Sequence, residues 1–93
     1  MIRIYKYEIG DEPGSYSVSI KRNCKILKYG AQKETIVFWA LVDVEESYEP
    51  FRFTLEFTGA ELTQEFLEYD KYQDTVQTEC GLVYHIFKSI YPE

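Results

Sequence analysis

Two segments of this sequence are apolar on both sides of an extended chain, so each must be covered from two directions. Thr35–Asp43 sends Ile36, Phe38, Ala40 and Val42 one way and Val37, Trp39 and Leu41 the other. Leu82–Phe87 repeats the pattern, with Leu82, Tyr84 and Ile86 opposite Val83, His85 and Phe87. Two kinds of cover fit. One is a short helix packed over the second face. The other is a subunit interface, because obligate interfaces resemble a core cut in half. The second makes Trp39, Leu41, Tyr84, His85 and Phe87 candidate interface or binding residues and predicts a homo-oligomer.

The remaining strands read as ordinary one-sided ones. Phe51, Phe53, Leu55 and Phe57 alternate with Arg52, Thr54, Glu56 and Thr58, and Tyr16, Val18 and Ile20 alternate with three serines. Further strands are expected over Ile2–Ile9, Cys24–Gln32 and Tyr72–Glu79. Asp11-Glu12-Pro13-Gly14, Lys21-Arg22-Asn23, Gln32-Lys33-Glu34 and Cys80-Gly81 read as turns of a hairpin-rich chain. Thr58 and Glu61 have capping-box spacing, and Leu62, Phe66 and Tyr69 follow at helical intervals, predicting a helix over 61–69. The fold expected is all-β, a compact antiparallel barrel or sandwich of about seven short strands with that one helix. With 93 residues it is expected to be a single domain, 1–93.

Charge is segregated along the chain. Residues 1–33 balance at +4 and residues 34–93 at −10, which together give the net −6. The total disfavours general nucleic-acid binding. Within the basic third, Lys21, Arg22, Lys25 and Lys28 crowd one turn and are candidate anion-binding residues, for instance toward a nucleotide. A solvated strand edge explains them as well. The acidic run Asp43, Glu45, Glu46 and Glu49, and the group Glu61, Glu65, Glu68 and Asp70, are candidates for an acidic surface that imitates a phosphate backbone. Solvated loops and helix faces have the same pattern.

Chemistry is sparse. There is no glycine-rich phosphate loop, nucleophile elbow or zinc-protease helix motif. One His and two Cys fall short of a four-ligand zinc site, and neither metal nor cofactor is expected. Cys80 and His85 lie five apart and point to opposite faces of an extended strand, so they do not form a thiol dyad there. No catalytic residues emerge, and the chain is expected not to be an enzyme. Its start is charged every few residues and its longest uncharged run is too short to cross a bilayer, so a soluble, cytoplasmic protein without membrane contact is expected. Cys24 and Cys80 are then expected as free thiols.

Several segments together carry a resemblance: Gly30-Ala31-Gln32, Phe38-Trp39-Ala40-Leu41-Val42-Asp43, Asp74-Thr75-Val76-Gln77 and Gly81-Leu82-Val83-Tyr84-His85-Ile86-Phe87. In these the chain resembles a family of short bacteriophage and prophage proteins classed as a domain of unknown function. It departs from that pattern at Val44, at Ala60-Glu61-Leu62 and at Asp74. The resemblance implies a phage accessory protein acting inside a bacterial host and brings no catalytic residues with it. The function expected is non-enzymatic binding that inhibits or sequesters a host protein, such as an antiphage defence component. A particle assembly protein and a nucleotide-messenger sponge are the alternatives.

Overall fold

The computed structural model describes residues 1–93. Seven strands and one helix follow in the order β1 (Ile2–Gly10), β2 (Gly14–Lys21), β3 (Lys25–Gln32), β4 (Thr35–Asp43), β5 (Tyr48–Phe57), α1 (Gln64–Tyr69), β6 (Asp70–Gln77) and β7 (Val83–Ser89). They form two antiparallel sheets, β1-β4-β3 and β2-β5-β7-β6. The arrangement is a two-layered sandwich without barrel closure, only 16 Å across its shortest dimension. The doubly apolar strands are both internal, with paired strands on each edge: β4 is the middle of the first sheet and β7 lies between β5 and β6 in the second.

One core fills the space between the sheets. Ile36, Phe38, Ala40 and Val42 of β4 meet Phe53 and Leu55 of β5 and Tyr84 and Ile86 of β7. The Phe38 and Phe53 rings stack across the layers, 5.0 Å between centroids. Such offset pairs add about 0.5–1.5 kcal/mol beyond their buried area.

The turn residues behave differently from a hairpin-rich reading. Asp11–Pro13 does not join paired strands: β1 pairs with β4 and β2 with β5, so this turn carries the chain from one sheet to the other. Residues 22–24 make the same crossing from β2 to β3. Only Lys33-Glu34 and the 78–82 loop close true hairpins, β3–β4 and β6–β7. Lys33 adopts φ 57°, as a tight two-residue turn demands. The pattern of apolar residues sets strand positions, but pairing partners depend on which faces meet in space.

The helix is shorter than its sequence suggests. It begins at Gln64, with the Thr63 hydroxyl accepting from the Phe66 amide at 3.0 Å. The Thr58–Glu61 capping box does not form, because the Thr58 hydroxyl is hydrogen-bonded to His85 Nε2 instead.

Candidate functional site

The two doubly apolar strands find different covers. On β7 the chain covers the second face at Phe87, while Val83 and His85 stay partly exposed. Phe66 of α1 meets Phe87 edge to face at 5.2 Å, and Tyr72 does so at 5.9 Å, leaving Phe87 only 7% exposed. On β4 no helix arrives. The outer face of β1-β4-β3 buries Val37 completely at one end and opens to solvent around Trp39, where Ile4 and Leu27 are 61% and 45% exposed.

Cross-strand register explains the composition of that face. Lys6, Trp39 and Lys28 form one row across β1, β4 and β3; Ile4, Leu41 and Lys25 form the next. Trp39 therefore stands between two lysines, with a third diagonal to it. Trp39 and Leu41 are partly buried, and the indole leans over Gly30, which leaves room by having no β-carbon. A bulge between Ile26 and Lys28 lifts Leu27 out of alternation, so Ile26 and Tyr29 turn to the core while Leu27 and Lys28 stay outside. Lys6 Nζ donates to Gln32 Oε1 at 2.7 Å, tying the edge strands across the sheet. Apolar anchors thus sit among three lysines on a molecule of net charge −6.

Other candidates from the sequence are placed elsewhere. Tyr84 is a core residue, 1% exposed, stacked on Phe57 with its hydroxyl donating to the Asp11 carbonyl. It is no surface anchor, and Phe87 is closed off beneath Phe66 and Tyr72. His85 lies on the outer face of the second sheet, its ring nitrogens hydrogen-bonded to the hydroxyls of Thr58 (2.7 Å) and Thr75 (2.9 Å).

The basic turn does not assemble into one anion site. The Lys21 ammonium is buried, donates to the carbonyls of Val44 and Glu46, and lies over the Tyr48 ring. It pins the β4–β5 loop. Arg22 reaches Glu49 at 3.8 Å, while Lys25 and Lys28 point out on β3. Four neighbours in sequence divide because β2 and β3 belong to different sheets. Lys6 and Ile4, distant in sequence, join Lys25 and Lys28; the unpaired lysines of alternating strands were the only signal for this, and it requires the β1–β4 register.

Among the acidic candidates, Asp43 accepts from the Glu45 amide and the N-terminal ammonium, and these hold its carboxyl below the usual range. Glu45, Glu61, Glu65 and Glu68 are exposed and Glu46 is partly so. Asp70 leaves the group altogether: it is 2% exposed and takes a bidentate pair from Arg52, at 3.2 and 2.8 Å.

Cys24 and Cys80 are both free. The Cys80 thiol donates to Glu34 Oε1 at 2.8 Å, and hydrogen bonds from Cys80 and Thr78 hold the Glu34 carboxyl below its usual range. Thiol and imidazole are thus engaged with separate partners. No cluster of His, Cys, Asp or Glu has metal-holding geometry.

A family model described as domain of unknown function DUF7352 matches residues 1–93, the whole chain. The chain belongs to this family. No curated protein and no solved structure matches it. For this DUF7352 member, the exposed face of β1-β4-β3 is the surface feature that its internal packing leaves unexplained. Helix α1 is too short to cross a membrane, and no other helix is present.

Proposed function

We propose that this chain is a phage- or prophage-encoded, non-enzymatic binding protein that docks the outer face of β1-β4-β3 on an acidic surface of a host protein and so inhibits or sequesters it. The observation that carries this reading is Trp39 set between Lys6 and Lys28, with Ile4 and Leu27 exposed beside it. An aromatic anchor within a charged rim is the composition of a binding hot spot. Three lysines around Trp39, with Glu8 and Asp43 at the ends of the same face, favour an acidic partner and steer its approach to the middle of that face. A second copy is the poorer occupant, because a two-fold axis near Trp39 opposes the lysines of one copy to those of the other. The resemblance to phage proteins supports a host component as the target, an antiphage defence factor being the first to examine.

The test is cross-linked capture from host lysate with the native chain and with Trp39→Glu. A partner lost with Trp39→Glu, with Lys6, Lys25 and Lys28 shielded from acetylation in the complex, supports the reading. Loss of one hot-spot anchor is worth about 2 kcal/mol, roughly thirtyfold in Kd. A partner retained by Trp39→Glu overturns it. So does light scattering above 11.0 kDa that Trp39→Glu returns to the monomer, since the face is then a self-association surface.

A further inference from the structure

The two sheets part at one end of the sandwich, beside the crossing from β2 to β3, around a cavity of 390 Å³. Its apolar wall is Ile20, Ile26 and Phe51, and Lys88 of β7, the strand beside Phe51, reaches in over that ring. Lys88 occupies the inward register of its strand, where Tyr84 and Ile86 are core residues. A lysine in that position puts an ammonium where the alternation calls for an apolar side chain.

Every other charged group at the cavity is matched. Lys21 is held by two carbonyls, and Glu49 faces Arg22. The Gln73 amide is used at both ends, accepting from the Tyr29 hydroxyl and donating to the Lys71 carbonyl. Lys88 makes no ion pair; Glu49, on the same cavity, acts on it only from a distance. Its ammonium lies 3.6 Å over the Phe51 ring, and its one protein acceptor is the Ser89 carbonyl at a long 3.4 Å. Burial pushes this amine below its usual range, the cost of a charge incompletely compensated.

We propose that this cavity is a binding site for a small organic monocarboxylate, its charged end on Lys88 and its apolar end against Ile20, Ile26 and Phe51. A single unmatched ammonium calls for one negative charge. Glu49 at the same rim opposes a second, which disfavours phosphate and other dianions. The volume lies at the small end of ligand sites, where an apolar wall with one fixed charge sets orientation. The site stands apart from the Trp39 face and does not depend on it.

Amide chemical shifts of the full chain, titrated with hexanoate, benzoate, benzyl alcohol and inorganic phosphate, test the proposal. Saturable shifts at Cys24, Phe51 and Lys88 with hexanoate or benzoate, at Kd on the order of 1 mM or tighter, are expected. Benzyl alcohol and phosphate should give none. Lys88→Met, of similar length and apolar, should keep the dispersed spectrum of a folded chain and weaken carboxylate binding by at least about tenfold, one charge-assisted hydrogen bond. No saturable shift with either carboxylate overturns the proposal. Equal binding by phosphate overturns it too, as does carboxylate affinity unchanged in a folded Lys88→Met.

Discussion

The indole of Trp39 lies across Gly30 of the neighbouring strand, so that a β-carbon at Gly30 would stand 3.1 Å from its Cζ3. Because the ring is partly exposed, it can give a few tenths of an ångström. Gly30→Ala should therefore change stability by less than about 0.5 kcal/mol. Gly30→Val cannot be accommodated so cheaply and should lift the indole into water. Trp39 is the only tryptophan, so its emission reports this directly. A red shift for Gly30→Val with unchanged far-ultraviolet dichroism is expected, and an unshifted spectrum would contradict this packing.

Phe87 and Trp39 occupy equivalent outer-face positions on strands with different cover. Phe87→Ala should cost about 3 kcal/mol, because it empties a closed space beneath Phe66 and Tyr72. Partly exposed Phe66→Ala should cost about 1 kcal/mol. A double-mutant cycle should give about 0.5–1.5 kcal/mol of coupling between the two rings. Denaturant midpoints of the four proteins measure it, and additive effects would remove α1 as the cover of β7.

The Arg52–Asp70 pair should break unequally. Asp70 is almost fully buried, whereas more than a third of the Arg52 side chain is exposed. Arg52→Ala strands a buried carboxylate and should cost about 3 kcal/mol. Asp70→Ala leaves a guanidinium that can turn to water and should cost nearer to about 1 kcal/mol. Thermal unfolding of both variants decides it; equal losses would mean that Arg52 has no such escape.

Lys88 makes stability depend on pH with a definite sign. Its folded value lies below that of the unfolded chain, about 10.4, so between the two the unfolded state binds more protons. Stability from this group therefore rises with pH across that window. Cys24, whose thiol burial pushes up, faces the same cavity and acts in the opposite sense; Glu49 and Lys21 also border it. In a Cys24→Ala background, Lys88→Met should be the more stable protein at neutral pH, by about 1 kcal/mol. The difference should shrink as pH approaches the unfolded value. Denaturant titrations at several pH values check this, and a constant or widening gap would refute it.

The two thiols should differ in reactivity. Cys80 is exposed in the 78–82 loop, while Cys24 is partly buried and its thiol is pushed up by desolvation. Iodoacetamide at neutral pH should label Cys80 first. Glu34→Gln should speed that reaction, since it removes the negative charge beside the sulfur. Timed mass spectrometry reads both sites, and faster labelling of Cys24 would contradict the placement.

The period-two alternation of apolar residues was enough to set the strands nearly to their ends, as over Thr35–Asp43, and to mark Phe53 and Leu55 as core, though Thr54 on the opposite face is buried and Phe57 is exposed. These are local properties, written in consecutive side chains. The double apolarity of Thr35–Asp43 and Leu82–Phe87 likewise required two covers for each. Which cover each strand received was decided only in three dimensions. Helix α1 folds back on β7 because the chain between β5 and β6 passes there, and β4, in the other sheet, is left without a helix and partly open around Trp39. The basic cluster Lys21–Lys28 dissolved for the same reason: a crossing between layers sends sequence neighbours to different surfaces. Lys6, Trp39 and Lys28 came together by antiparallel register, and Lys88 met its cavity by the parting of two sheets. Contacts of that kind depend on which strands pair, a choice made by the meeting of faces rather than by any one segment.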